Sequence, residues 1–294
     1  MPSDLRLYGG RKTGDPSGED MKITDILAID VHAHYGYCDS PTITELERQL
    51  MTGDAATVVA RAKEAMTELT IASPLLGLFP RGQADAVAGN EEAHNVIDET
   101  EGLLQWVIIN PLQEATFVQA REMLKHPKCV GIKIHPEEHQ YPIRDYGRIL
   151  YEAAEENGAV ILTHSGDTLS DPMEFVSLAN DFPTVRAILA HIGNGGYAGG
   201  DPRGQVQAAQ NTKHGNLYAD TSSARSIMPG LIEWAVSELG AGRILYGTDT
   251  PLYFAPMQRA RIDHADISEK EKLQILRSNA IELLSLQPLV ASQS

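Results

Sequence analysis

From about residue 23 onward the apolar positions fall into short runs rich in Ile, Val and Leu, each followed by a polar or glycine-containing loop and then a longer amphipathic stretch. The runs are ILAIDVHAH (26–34), LTIASP (69–74), LLQWVIINP (103–111), CVGIKIHP (129–136), AVILTHSG (159–166), VRAILAHIG (185–193), NLYADTSS (216–223) and RILYGTDTP (243–251). Most lack the apolar/polar alternation of a sheet with one wet face, which is the pattern of parallel strands covered on both sides. Helix-start signals stand between them: Asp171-Pro172 precede MEFVSLAND as an N-cap with proline in the first turn, and Ser268 with Glu271 open the last helix as a capping box. Eight strands alternating with helices predict a parallel sheet.

Spacing selects the kind of sheet. With Asn110, His135, His164, His191, Asp220 and Asp249 as strand-end markers, the steps are 25, 29, 27, 29 and 29 residues, a regularity that over eight units predicts a closed (β/α)8 barrel, an α/β TIM barrel. The first run leads into His-Ala-His rather than a G-x-G-x-x-G turn, so a dinucleotide-binding sheet loses its main support. The reading is one catalytic domain over 23–294, preceded by a polar, Gly/Pro-rich flexible arm over 1–22. An insertion at 35–68, with helical segments TITELERQL and DAATVVARAKEAM, is expected beside the catalytic mouth as part of a lid or subunit contact.

Composition narrows the partners. At 294 residues and 42% hydrophobic content the chain can bury a full core. Its net charge of −16, from 40 acidic and 24 basic residues, is spread over helical segments and speaks against nucleic acid. No run of about 18 apolar residues offers a membrane span, and the N-terminal stretch has no apolar segment to serve as a signal-peptide core. Cys38 and Cys129 are too few for a disulfide framework, which together suggests a reducing, cytoplasmic setting and a small-molecule substrate.

A parallel barrel delivers the C-terminal end of every strand to one face, so residues distant in sequence converge there. That face collects His32, His34, His135, His164, His191, Asp220 and Asp249. His32 and His34, two apart on one strand, point to the same side and can grip one ion from the barrel interior. His164 and Asp249 complete a set of three or four nitrogen and oxygen ligands suited to a catalytic divalent ion, Zn²⁺ first, with Mn or Fe as alternatives. His135 faces the same side as Lys133 and is expected at the substrate or behind a ligand, while Arg225, after the seventh run, is in place to clamp a carboxylate. The segment GNGGYAGG (193–200) lacks the lysine and hydroxyl residue of a phosphate-binding loop and reads as flexible backbone near the site. His94, His126, His139, His214 and His264 read as surface or structural.

IDVHAH, GIKIHP, ILTHSG, ILAHIG and ILYGTDTP occur in the order seen in the amidohydrolase superfamily. Over about residues 26 to 285, including RSNAIELL near the end, the chain resembles its amidohydrolase-related branch, which includes aminocarboxymuconate semialdehyde decarboxylase, resorcylate decarboxylases and many hydrolases. The resemblance implies that His32, His34, His164 and Asp249 are metal ligands, that Asp249 also carries a proton, and that His191 polarises substrate or orients water. Two-metal relatives use a carbamylated lysine of the fourth strand, which would make Lys133 a bridge to a second ion; the reading preferred here is one ion with Lys133 in substrate binding. A homodimer is also implied.

The first expected reaction is hydrolysis of a small ester, lactone or amide by metal-activated water. The alternative is non-oxidative decarboxylation of an unsaturated or aromatic acid on the same ligands. A third reading, a barrel retained as a non-catalytic scaffold, is disfavoured because no ligand position is missing.

Overall fold

The computed structural model describes residues 25–222, 227–287 and 289–290. The expected arm at 1–22 and Arg225 lie outside the described residues. Eight strands, β1 (Ala28–Tyr35), β2 (Thr67–Pro74), β3 (Leu103–Ile108), β4 (Cys129–Ile134), β5 (Val160–Thr163), β6 (Ala187–Leu189), β7 (Leu217–Asp220) and β8 (Ile244–Leu245), pair in parallel in that order. Around them run α1 (Glu45–Met51), α2 (Ala55–Glu64), α3 (Ala86–Val96), α4 (Ala115–Met123), α5 (Pro136–His139), α6 (Ile143–Asn157), α7 (Glu174–Asp181), α8 (Gly204–Gln210), α9 (Leu231–Leu239), α10 (Ala255–Asp263), α11 (Glu269–Leu273) and α12 (Asn279–Leu284). This is the (β/α)8 barrel that the spacing predicts.

The barrel closes through the segment after β8 rather than by a regular ladder. Val31 N donates to Tyr246 O at 2.9 Å, Asp249 N to His32 O at 2.7 Å and His34 N to Thr250 O at 2.7 Å. Buried Asp30 ties the same seam, accepting from His32 N, Thr248 N and, at 2.5 Å, Thr248 Oγ1. Burial pushes its carboxyl up to about 7 against those bonds. The seam therefore sets Asp249 directly beside the His-x-His strand.

Ile29, Val31, Ile71, Leu104, Trp106, Leu162, Ile188 and Leu245 fill an inner cluster, and a larger cluster lies between sheet and helices. Trp106 donates from Nε1 to Val31 O at 2.8 Å. Gly131 is required on β4 because a Cβ there would stand 2.5 Å from both the Trp106 ring and Val160 O.

Strands are shorter than the apolar runs. His164, His191 and Asp249 stand in the first loop residues past β5, β6 and β8, and His191 and Asp249 take left-handed φ values of 71° and 60°. Non-glycine residues in that region cost about 1–3 kcal/mol and cluster at functional sites. The final helical stretch begins with the Ser268/Glu271 capping box and passes through a wider π turn at Gln274–Ser278, whose Ile275 carbonyl accepts Tyr246 N at 2.9 Å. Asp171 differs from its expected role: its carboxylate accepts from Met173 N at 2.9 Å in a tight turn, and α7 starts later, at Glu174. In the connection after β1, α2 buries Ala55, Val58, Val59 and Ala62, whereas α1 buries none of its residues. No helix among the described residues is long and apolar enough to cross a membrane.

Candidate metal centre

His32 and His34 project from β1 into the barrel mouth, 1% and 3% exposed. Each ring is fixed from behind through Nδ1. His32 Nδ1 lies 2.8 Å from Asp220 Oδ2, and His34 Nδ1 lies 3.1 Å from the carbonyl of Ser73, its register partner on β2. With Nδ1 carrying the proton, both rings turn Nε2 toward Asp249, the arrangement of ligating histidines held by an outer hydrogen bond. Burial pushes His34 down to about 4, so its ring is neutral at pH 7 with a lone pair to give. Protons compete with a cation for that pair; metal is therefore expected to stay bound through the ordinary histidine range and to be released only as the pH falls to about 4 and below, measured as metal content after dialysis at stepped pH.

Asp249 Oδ1 stands 3.2 Å from His34 Nε2 and 3.7 Å from His32 Nε2, and the three ligand atoms lie within 4.8 Å of one another. A tetrahedral ion with bonds of about 2.0–2.1 Å spaces its ligands by about 3.3 Å, so the three atoms fit around one small cation. Two imidazoles and a carboxylate suit Zn²⁺ and Mn²⁺ alike. Burial acts to raise the Asp249 carboxyl, but the hydrogen bond to His34 and the surrounding imidazoles outweigh it and hold the group below the usual carboxylate range.

Asp220, fully buried at the end of β7, is the organiser behind this cluster. Besides His32, it accepts from His191 N at 3.0 Å, Ser222 N at 2.9 Å and the Ser222 hydroxyl. Asp220→Ala is expected to weaken metal affinity about 10–100-fold by freeing the His32 ring, with the loss read by competition against a fluorescent chelator.

Lys133 is fully buried on β4, with Nζ 3.0 Å from His32 Nε2. Burial lowers its amine to about 8, Asp249 and Asp220 opposing the shift. His191 and His164 form the far wall: His191 Nε2 stands 3.1 Å from His164 Nδ1, and His191 Nδ1 is 2.8 Å from Ser222 Oγ. His164 points its Nε2 at Asp167 Oδ2, 2.7 Å away. His135 stacks on His164 with ring centroids 4.3 Å apart and takes Glu138 N–H on Nδ1 at 3.3 Å. Burial pushes both His135 and His191 well below the ordinary histidine range.

These side chains surround one cavity of about 320 Å³, whose remaining lining includes Leu75, Leu78, Phe79, Leu252 and Tyr253. His32, His34, His135, His164, His191 and Asp249 all line it. The tight cluster holds His32, His34 and Asp249, whereas His164 belongs to the His191–Asp167 chain. Sequence reasoning missed Asp167, Glu138 and the apolar wall, which come from the turns and short helices past the strand ends, whose course carries no strand-end signal. His139, expected to be surface or structural, is buried, with Nε2 donating to Gly77 O at 2.8 Å.

Comparison with curated proteins yields no match. Among solved structures, the chain is similar to 2,6-dihydroxybenzoate decarboxylase from Rhizobium (TM-score 0.66, 15% identity, 88% of this chain and 99% of that one). It is also similar to a dihydroxybenzoic acid decarboxylase from Polaromonas with bound manganese and the inhibitor 2-nitroresorcinol (0.63, 15%, 88% and 97%). A third is 5-carboxyvanillate decarboxylase from Sphingomonas paucimobilis (0.61, 14%, 88% and 99%). At these identities the likeness concerns the fold, the same barrel throughout. The amidohydrolase family profile matches residues 29–286, nearly the whole barrel with every strand-end histidine and aspartate described above, and the chain belongs to that family.

Proposed function

We propose that the protein is a metal-dependent, non-oxidative decarboxylase of a small aromatic or unsaturated carboxylic acid. The observation that carries this reading is the mixed lining of the cavity, in which the histidines and Asp249 share the walls with Leu75, Leu78, Phe79, Leu252 and Tyr253, and Glu138, Asp167 and Asn194 complete it. A cavity of about 320 Å³, near the small end of the ligand-pocket range of about 300–1,000 Å³, suits a small ring whose carboxylate turns toward the histidines. The decarboxylases among the structural relatives support this chemistry over the hydrolysis placed first by the sequence.

In the reaction the bond from ring carbon to carboxylate breaks, CO₂ leaves, and the electron pair left on carbon takes a proton. His32, His34 and Asp249, with His164 beside them, would hold one divalent ion, which would supply positive charge to orient the carboxylate. Asp249 accepts a proton from the incoming acid's hydroxyl or from water and returns it to carbon. His191, held through Nδ1 by Ser222, stands beside His164 in the cavity wall and orients the bound acid. His135 lines the pocket, whereas Lys133, fully buried and 3.0 Å from His32 Nε2, stands behind the lining.

The test is incubation of metal-loaded protein in D₂O with carboxyl-labelled hydroxybenzoates and unsaturated acids, alongside esters, lactones and amides. The expected result is labelled CO₂ and one deuterium at the vacated carbon. Cleavage of the esters, lactones or amides without CO₂ release would replace this reading with hydrolysis.

A further inference from the structure

Asp167 has no part in the steps above, yet a whole loop is folded around it. Its Oδ2 lies 2.7 Å from His164 Nε2 and receives Asn194 Nδ2 at 3.1 Å. Asn194 also donates to Ser165 O at 3.0 Å, Tyr197 N to Gly166 O at 3.1 Å, and Gln205 Nε2 to Asn194 O at 2.9 Å. The segment 193–200, which reads as flexible from its glycines, is thus stitched across the turn that bears Asp167. A Cβ on Gly196 would stand 2.3 Å from Asp167 Oδ1. Close approach to this carboxylate is what the glycine permits.

An imidazole has two nitrogens, and the partner of one decides what the other offers. A carboxylate on Nε2 fixes that nitrogen as N–H and leaves the lone pair on Nδ1. In this structure that Nδ1 faces His191 Nε2 across 3.1 Å. We propose that Asp167, seated by the glycine-rich segment 193–200, is a positioning residue that commits His164 to present Nδ1 to the centre, opposite in sense to His32 and His34, which present Nε2. The assignment holds whether the centre decarboxylates or hydrolyses, because it concerns the ring and not the substrate.

The test is ¹⁵N NMR of histidine-labelled protein before and after addition of Zn²⁺, with His164→Gln used to identify the His164 signals, and Zn²⁺ affinity measured in parallel. The wild-type protein is expected to show the Nε2–H tautomer at His164. Asp167→Ala is expected to give mixed tautomers and Zn²⁺ binding about 10–100-fold weaker. Asp167→Asn, whose amide oxygen still accepts an N–H, retains the tautomer and recovers most of the affinity. Gly196→Ala, which crowds the carboxylate without altering its chemistry, is expected to behave like Asp167→Ala and carries the test if that variant fails to fold. An Nδ1–H tautomer in the wild type, or an unchanged tautomer or affinity in Asp167→Ala, would overturn the proposal. None of these readings depends on the decarboxylase assay.

Discussion

Asp249→Asn is expected to yield a folded chain that keeps much of its metal and turns over about 10²–10⁴-fold more slowly. The amide oxygen preserves a donor for the cation, and the backbone bond from residue 249 N to His32 O is indifferent to the change, so the seam of the barrel survives. What disappears is the carboxylate that takes and returns a proton. Burial acts against its anionic state, which the hydrogen bond to His34 and the nearby His32 and His191 maintain. The check is kcat alongside metal content and circular dichroism; a near wild-type rate at full occupancy excludes the role.

The second large effect is expected on chelation. Protein stripped of metal should lose activity by on the order of 10³-fold or more, since a cation contributes several kcal/mol of charge stabilisation. Added Mn²⁺ or Zn²⁺ should restore it, whereas the stripped His34→Ala protein should recover little, having lost one of three clustered ligand atoms. The His34 site lies at the strand end above the inner apolar cluster, so its truncation is expected to spare the barrel. Full activity in the chelated wild type would remove the metal from the reaction.

Much of this arrangement was legible in the chain because strand ends converge by construction. His32 and His34 announce themselves by their spacing of two, and His164, His191, Asp220 and Asp249 by steps close to 28 residues. Residues whose position depends on loop shape were hidden. Asp167 meets His164 only because a turn at Gly166 is pinned by Asn194 and Tyr197 from the following unit. Leu75, Leu78 and Phe79 face the centre because Gly82 N donates to Glu138 O at 2.7 Å and Arg81 clasps the Glu138 carboxylate, contacts between elements far apart in sequence. Strand lengths were overestimated for a related reason. Past Leu189 and Leu245 the backbone leaves the ladder for left-handed turns at His191 and Asp249, which apolar patterning does not register. The same patterning made the 193–200 segment look slack, although its glycines admit close packing.

Anomalous diffraction from crystals of metal-loaded protein, collected on either side of the absorption edge of the added ion, locates the cation directly. A peak is expected at the barrel mouth within about 2.0–2.2 Å of His32 Nε2, His34 Nε2 and an Asp249 carboxylate oxygen. Fully loaded crystals with no peak among those three atoms, or with one held elsewhere while His32 and His34 stay bound to protein partners alone, would contradict it.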